Sequence, residues 1–370
     1  MTLQLFERER SMAQRWKRPL AFALLVALFG AALLLRRAPR PGPPTVRKTF
    51  NAMGTFVTIE AGGLDVEALR EAVEAAASEV HRLEGLLSRF KPDSDVSRIS
   101  RAAAGERLIV NDATVEVLLK AAEVSKLTRG AFDVTVGPLV RLWKESAEAG
   151  VVPGDDQISR MLGDVSWQAL SIDSVDGAVR RHTDSVEIDL GGVAKGFIAG
   201  EAARLLVESG VAYGLVNAGG DGVFAGGGPQ GGGWRIGITD PRDTSQIAET
   251  ILVCDQAVVT SGNYQQFYEI EGRRYSHIID PRTGRPAQGP ASVTVIAADP
   301  AHADAWATAL SVTGKEETIL AAAEAAGIDF LMYFVEDGAL KSIESPGFDG
   351  YRQACDEACL HKETHRHTRR

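Results

Sequence analysis

An aspartate and a threonine in the last third of the chain stand four residues apart in a segment that predicts a helix. Asp304 and Thr308 then share one helix face, because residues i and i+4 are neighbours on a helix surface. A carboxylate and a hydroxyl, together with carbonyls and water, form the hard-oxygen type of site that Mg²⁺ accepts beside phosphates. The structural alternative is that Asp304 stabilises the positive end of its helix and Thr308 hydrogen-bonds to its own backbone.

A strand-like run, two glycines and a predicted helix follow one another over residues 187–196, EIDLGGVAKG. Gly191 and Gly192 would let the backbone approach a phosphate, the helix start offers N–H groups, and Lys195 adds a positive charge. These features suit a pyrophosphate or a metal-bound phosphate. The segment matches neither the Walker pattern nor G-x-G-x-x-G, so it supports neither a P-loop ATPase nor a Rossmann enzyme. A plain strand-to-helix turn with a solvated Lys195 is the alternative.

A histidine and an aspartate flank two apolar residues just before the PRTG turn of residues 281–284. His277 and Asp280 would therefore lie at the end of a predicted strand. Because an imidazole titrates near about pH 6.5, His277 is suited to act as a general base. A surface or capped histidine is the structural alternative.

Three further glycine-containing segments carry weaker signals. Residues 217–222, NAGGDG, suit either a ligand or a tight hairpin. In residues 260–264, TSGNY, Tyr264 would either pack on a planar ring or be a half-buried strand residue. The glycine cluster of residues 226–233 predicts a mobile hairpin loop between two strand-like runs.

Helices and strands alternate along the chain in a way that predicts an α+β fold with helices packed on an irregular sheet. The first predicted helix, residues 65–88, repeats apolar residues at helical spacing. The second, residues 113–127, has Asp112 as its expected N-cap and Gly130 beyond its end. The other predicted helices are residues 194–209, 301–312 and 315–326, and the predicted strands include residues 56–61, 186–190 and 292–297.

The composition limits the class of protein. The chain has 370 residues, of which 45% are apolar, and its 38 glycines show no three-residue period. A collagen-like or wholly disordered chain is therefore excluded. The net charge of −9 argues against nucleic acid as a partner. The three cysteines are too few for a disulfide framework or a four-thiolate zinc site, so we expect the core to hold the fold.

An uncharged apolar run, residues 20–35, lies between basic flanks near the N-terminus. It predicts a membrane segment, because a buried core helix would not be expected there with arginine on both sides. Its length falls between a signal-peptide core and a spanning helix, which needs about 17–25 residues. We expect residues 1–36 to form an uncleaved signal-anchor, with cleavage as the alternative.

The rest of the chain divides into a spacer, one domain and a tail. Residues 37–44 are rich in proline and predict an extended spacer. Residues 45–350 contain no second linker of this kind and predict a single folded domain. Residues 351–370 contain Cys355, Cys359 and three histidines, which suit either a transition-metal site or a disordered tail, and we expect the tail.

The order of these motifs closely resembles the ApbE family, the FAD:protein FMN transferases. The resemblance spans roughly residues 50–348 and rests on eight collinear stretches rather than on one motif. They are MGT (53–55), LSRFKPDSDVSR (87–98), GAFDVTVGPLVRLW (130–143), DLGGVAKG (189–196), NAGG (217–220), TSG (260–262), HIIDPRTG (277–284) and ADAWAT (303–308).

The resemblance implies a large catalytic domain related to the T-fold, with a mixed sheet and packed helices. It implies transfer of FMN from FAD to a Thr or Ser hydroxyl of an acceptor protein, such as a subunit of a membrane redox complex, with release of AMP. His277 would take the hydroxyl proton, and Mg²⁺ would be held by Asp304, Thr308 and the carbonyl of Gly192. FAD would contact Met53, Phe90, Ala131, Phe132, Asp133, Asp189, Lys195, Thr260 and Asp280.

The family pattern also implies a catalytic domain on the periplasmic side of the inner membrane. The sequence departs from it in two ways: no lipid-anchor cysteine follows the apolar run, and Phe90 stands where a tyrosine is often found. Two other functions remain open. One is an FAD pyrophosphatase that uses water as acceptor, and the other is a non-catalytic flavin-binding module, against which the intact Asp304, Thr308 and His277 argue.

Overall fold

The computed structural model of the chain describes residues 44–263 and 266–352. Tyr264, the predicted membrane segment, and all but the ends of the predicted spacer and tail lie outside this range. Within it, none of the helices combines the length and the apolar character that a membrane span requires.

The helices and strands of the described residues have the following bounds. The helices are α1 (Val66–Leu87), α2 (Asp95–Arg101), α3 (Asp112–Leu127), α4 (Gly137–Ala149), α5 (Asp155–Leu162), α6 (Ala194–Glu208), α7 (Pro300–Thr313) and α8 (Glu317–Ala325), with 3₁₀ turns at Trp167–Ala169 and Phe348–Tyr351. The strands are β1 (Thr45–Ala52), β2 (Thr55–Gly62), β3 (Leu108–Ile109), β4 (Leu170–Asp173), β5 (Ala178–Arg181), β6 (Tyr213–Ala218), β7 (Asp221–Ala225), β8 (Trp234–Asp240), β9 (Asp243–Val253), β10 (Gln256–Gly262), β11 (Phe267–Ile270), β12 (Arg273–Ser276), β13 (Ile279–Asp280), β14 (Arg285–Pro286), β15 (Ser292–Ala297), β16 (Asp329–Glu336) and β17 (Ala339–Glu344).

The main sheet has eight strands in the order β1-β2-β6-β7-β10-β15-β16-β17. Every neighbouring pair in it is antiparallel. The α+β prediction is confirmed, but the predicted mixture of strand directions is wrong for this sheet. The reason is local: β1–β2, β6–β7 and β16–β17 are joined by two-residue connections, which only antiparallel strands can use.

Helix α1 illustrates how the sequence builds the core beneath this sheet. Its N-cap Asp65 accepts hydrogen bonds from the backbone N–H groups of Glu67 and Ala68. Its buried side chains recur at helical spacing and belong to the main hydrophobic core.

The N-cap of α3 differs from the prediction: it is Asn111, whose side chain accepts from the N–H of Ala113, so that Asp112 is already helical.

Two predicted elements are corrected by the structure. Residues 186–190 are extended and bury alternate apolar side chains, but they form only one parallel bridge, Val136 with Glu187, and no regular strand. Residues 226–233 do not close a hairpin, because β7 belongs to the main sheet whereas β8 pairs with β9. They connect the two sheets through several glycines with positive φ, a conformation that costs glycine little.

Candidate active site

One cavity of about 660 Å³ brings together all of the predicted site residues except Asp280. Its volume lies in the range of small-molecule and cofactor sites. The residues come from the β1–β2 turn, the segments after α1 and α3, the start of α6, the end of β10, the segment after β12, and α7. They are Met53, Phe90, Ala131, Phe132, Asp133, Asp189, Gly192, Lys195, Thr260, His277, Asp304 and Thr308.

Asp304 and Thr308 of α7 face the glycine turn that precedes α6. A methyl group placed on Gly192 would lie 2.8 Å from Oγ1 of Thr308, so the turn and the helix are in direct contact. Asp304 is 1% exposed, and its Oδ2 accepts a hydrogen bond of 2.9 Å from the N–H of Gly196. Asp304 is therefore oriented by α6 and does not cap its own helix, whose N-cap is Asp299.

The oxygen groups at this position are suited to a hard cation. Two other hydroxyl residues of α7, Ser311 and Thr313, hydrogen-bond back to their own helix, whereas Thr308 turns its hydroxyl towards the glycine turn. Among residues 44–263 and 266–352 there is no group of three or more His, Cys, Asp or Glu able to hold a metal. A buried carboxylate and a hydroxyl beside a glycine turn are oxygen groups of the kind that Mg²⁺ accepts as ligands.

Lys195, at the start of α6, bridges two buried carboxylates. Its Nζ contacts Oδ2 of Asp221 and lies 3.5 Å from Oδ1 of Asp304. Burial lowers the pKa of Lys195, but the charges of Asp304 and Asp221 outweigh it and the net shift of the pKa is upward. Burial raises the pKa of Asp304, against the opposing effect of the Lys195 charge. Lys195, whose side chain is 32% exposed, is thus a cation that two carboxylates hold at the cavity.

His277 lies between β12 and β13 and lines the cavity. Its Nδ1 is 2.9 Å from the carbonyl oxygen of Gln266. Because a carbonyl can only accept, the neutral ring carries its proton on Nδ1 and leaves Nε2 unprotonated. Burial lowers the pKa of His277; the hydrogen bond to Gln266 opposes this shift and the charge of Lys195 adds to it. His277 is therefore neutral at pH 7 and able to accept a proton through Nε2.

The predicted flavin contacts Met53 and Phe90 are placed by a turn and by a helix end. Met53 and Gly54 have φ of 53° and 72°, as the two-residue turn of a twisted hairpin requires. The N–H of Met53 donates to Oε1 of Glu84 at 2.7 Å, which ties this turn to α1. Phe90 is 78% exposed, and the guanidinium of Arg89 lies 5.0 Å from its ring centre. An exposed ring at a cavity is suited to pack against a planar ligand.

Ala131, Phe132 and Asp133 line the cavity but are themselves buried. Oδ1 of Asp133 accepts from the N–H and the hydroxyl of Thr135 at 2.8 and 2.7 Å, and Oδ2 accepts from the N–H of Trp167 at 2.8 Å. Burial raises the pKa of Asp133 against these hydrogen bonds. Both oxygens of Asp133 thus stabilise the local fold, and the segment offers the cavity a preformed wall.

Asp189 lies at the cavity beside the glycine turn. Its Oδ2 is 3.0 Å from Nη1 of Arg89, and its Oδ1 accepts from the N–H of Gly191 at 2.8 Å. Thr260 lies on β10, where its hydroxyl is 2.9 Å from the hydroxyl of Thr294. Both predicted residues therefore enter the cavity with polar partners already in place.

Asp280 is the predicted site residue that the structure does not bring into the cavity lining. Its Oδ1 accepts from the backbone N–H of Arg282 at 2.9 Å, and both of its oxygens pair with the same guanidinium. Its neighbours Ile279 and Pro281 do line the cavity. The carboxylate of Asp280 thus stabilises the PRTG turn, and its contact with flavin stays a prediction.

Several lining residues were not selected from the sequence, among them Arg89, Asp221, Gln266 and Tyr268. Arg89 lies within the motif of residues 87–98 and Asp221 within the glycine motif of residues 217–222, so the sequence carries a signal for both. Gln266 acts through its backbone carbonyl, which no side-chain pattern marks.

Comparison with known proteins identifies the family of this chain. The ApbE family model matches residues 53–332. The FAD:protein FMN transferase of Klebsiella pneumoniae is 34% identical over 337 residues, which cover 87% of this chain and 95% of the relative. The enzyme of the same name from Vibrio cholerae is 35% identical over 332 residues, covering 88% and 97%.

Solved structures give the same result. The flavin transferase ApbE from Vibrio cholerae matches with a TM-score of 0.73 and 32% identity, covering 84% of this chain and 99% of the other. The ApbE protein from Thermotoga maritima matches with a TM-score of 0.77 and 31% identity, covering 84% and 100%. Because the family model, the sequences of these relatives and their folds all match, the chain belongs to the ApbE family.

Proposed function

We propose that this chain is an FAD:protein FMN transferase that moves FMN from FAD to a Thr or Ser hydroxyl of an acceptor protein. The hydroxyl oxygen attacks the phosphorus of the FMN half, a phosphoester bond forms, the pyrophosphate bond breaks and AMP leaves. The observation that carries the proposal is that one cavity holds a neutral imidazole, His277, together with Lys195 and Asp304. A base for the hydroxyl and a charged site for the pyrophosphate are what this transfer needs.

Each of these groups has a distinct part in the transfer. Nε2 of His277 receives the proton of the acceptor hydroxyl, while the Gln266 carbonyl keeps the ring in the required tautomer. Lys195 places a permanent positive charge near the phosphates. Mg²⁺, held by Asp304, Thr308 and the carbonyl of Gly192, would neutralise charge on the phosphates.

The transferase is tested with the purified full-length chain, FAD, Mg²⁺ and an acceptor protein that contains a target threonine. We expect a flavin-fluorescent acceptor band in a denaturing gel and one AMP released for each flavin attached. Release of FMN and AMP without that band would favour the FAD pyrophosphatase. Neither band nor AMP would favour the flavin-binding module.

We also propose that residues 1–36 tether the catalytic domain to the inner membrane on its periplasmic side. The charge-free run of residues 20–35 supports this tether. Protease added to spheroplasts should digest the domain, and protection of the domain until the membrane is lysed would contradict the proposal.

A further inference from the structure

Asp221 takes no part in the chemistry proposed above, yet it lies beside the proposed magnesium site and contacts Lys195. It is the first residue of β7, which pairs with β6 and β10 inside the main sheet, and it is 5% exposed. Its Oδ2 contacts Nζ of Lys195, and its Oδ1 accepts from the N–H of Thr260 at 3.2 Å. The sheet thus holds the carboxylate of Asp221, and this carboxylate holds the ammonium of Lys195.

Lys195 contacts two buried carboxylates, and its Nζ lies closer to one of them than to the other. Its Nζ is in direct contact with Asp221 but 3.5 Å from the nearer oxygen of Asp304. The other oxygen of Asp304 is fixed by the N–H of Gly196 at 2.9 Å. Asp304 is therefore oriented by a neutral donor through Oδ2, while its Oδ1 forms only the longer of the two ion pairs made by Lys195.

The formal charges of Asp221, Asp304 and Lys195 do not balance. Asp221 and Asp304 contribute two negative charges and Lys195 one positive charge, which gives a net charge of −1 in a buried environment. A buried charge without a counter-charge is unfavourable. A divalent cation held by Asp304 would supply positive charge to this group.

We propose that Asp221 is a positioning residue: it holds the Lys195 ammonium closer to itself than to Asp304, so that the Asp304 carboxylate remains available to Mg²⁺. This inference rests on the magnesium site proposed above. Without the Asp221 charge, the ion pair of 3.5 Å between Lys195 and Asp304 shortens, and the tighter pair competes with the metal. The effect acts through Lys195 and not through contact of Asp221 with the reacting atoms.

The first test uses Asp221→Asn, which keeps the shape of the side chain and an oxygen that can accept from Thr260. Calorimetric titration of Mg²⁺ into the full-length protein without FAD should show about 10- to 100-fold weaker binding, the usual cost of losing a group that orients a metal ligand. Asp337→Asn is the matched control, because Asp337 is an exposed turn residue with φ of 51°, which asparagine tolerates. It makes the same change in net charge and should leave Mg²⁺ affinity unchanged.

A double variant separates the proposed mechanism from a merely structural effect. Adding Lys195→Met to Asp221→Asn removes the competing ammonium and should restore Mg²⁺ affinity to within about threefold of the wild type. Wild-type affinity in Asp221→Asn alone, or a double variant as weak as Asp221→Asn, would overturn the inference. A wild-type protein that binds no Mg²⁺ would instead overturn the magnesium site itself.

Lys195→Met alone keeps the inference testable if Asp221→Asn does not fold. We expect this variant to bind Mg²⁺ at least as tightly as the wild type, since Asp304 then has no competing cation. Weaker binding in a variant with an unchanged melting temperature would overturn the proposal.

Discussion

A methyl group on Gly192 would lie 2.8 Å from Oγ1 of Thr308, which is too short for a non-bonded contact of a Cβ atom. The same methyl group would lie 3.2 Å from the ring of Phe132. The glycine turn and α7 therefore meet with no side chain between them. This contact brings the proposed metal ligand Thr308 next to a residue predicted to contact the flavin.

Gly192→Ala is accordingly expected to weaken Mg²⁺ binding by at least about 10-fold, because the new methyl group displaces the Thr308 hydroxyl or the turn carbonyl. Calorimetric titration of Mg²⁺ measures this change. Gly85→Ala in α1 is the control, since a methyl group there meets no atom within 4 Å; it should leave Mg²⁺ affinity unchanged. Equal affinities for the two variants would contradict the role of Gly192.

His277→Gln is expected to slow FMN transfer by about 100- to 10,000-fold, the usual contribution of a general base. Glutamine preserves the size and polarity of the side chain but cannot take up the hydroxyl proton. FAD affinity, followed by flavin fluorescence, should stay close to that of the wild type. Transfer at an undiminished rate would remove His277 from the role of base.

The pH dependence of transfer follows from the direction of the His277 pKa shift. The base works only when neutral, so kcat/KM should fall as the pH drops through its pKa. Burial lowers that pKa, and the midpoint of the acid limb should therefore lie below about 6.5, the ordinary value of histidine. A midpoint above this value, or an acid limb that persists in His277→Gln, would assign the limb to another group.

Asp304→Asn is expected to lower kcat at saturating Mg²⁺ by at least about 100-fold, because metal charge stabilisation supplies several kcal/mol in such reactions. The asparagine oxygen can still accept from the N–H of Gly196, so the contact between α6 and α7 is preserved. Rates measured across a Mg²⁺ series should lose their metal dependence. An unchanged Mg²⁺ requirement would refute the assignment of Asp304 as a ligand.

Local features of the site were predictable from sequence because each depends on neighbouring residues. The spacing of Asp304 and Thr308 placed them on one helix face, and both do face the cavity. The glycines at 191 and 192 marked the turn, and the lysine at 195 marked the positive charge. These are properties of one turn of helix or one loop, which short-range physics determines.

Long-range relationships were not predictable in the same way. The pairing of Lys195 with Asp221 joins a helix start to a sheet strand, and the support of His277 comes from a backbone carbonyl. The hairpin predicted for residues 226–233 is wrong for a similar reason: glycines of the same kind occur in hairpins and in connections between two sheets. The two kinds of connection differ only in which strands pair, and strand pairing depends on the packing of the whole sheet.

Helices α6 and α7 are in close contact at Gly196. A methyl group there would lie 2.1 Å from the backbone oxygen of Pro300 and 2.8 Å from Cβ of Asp304. Because a backbone oxygen cannot rotate away, Gly196→Ala must push the two helices apart. We expect the free energy of unfolding to fall by about 1–3 kcal/mol, as for other overpacked contacts, with loss of Mg²⁺ affinity.

Gly200→Ala, one turn further along α6, provides the graded comparison for this prediction. Its methyl group would lie 3.0 Å from Cγ of Pro300, a side-chain atom that can shift. Denaturant unfolding should therefore rank Gly196→Ala clearly below Gly200→Ala, and only Gly196→Ala should lose metal binding, because it alone displaces Asp304. Similar stability and Mg²⁺ affinity in both variants would show that the contact between α6 and α7 does not set the position of the carboxylate.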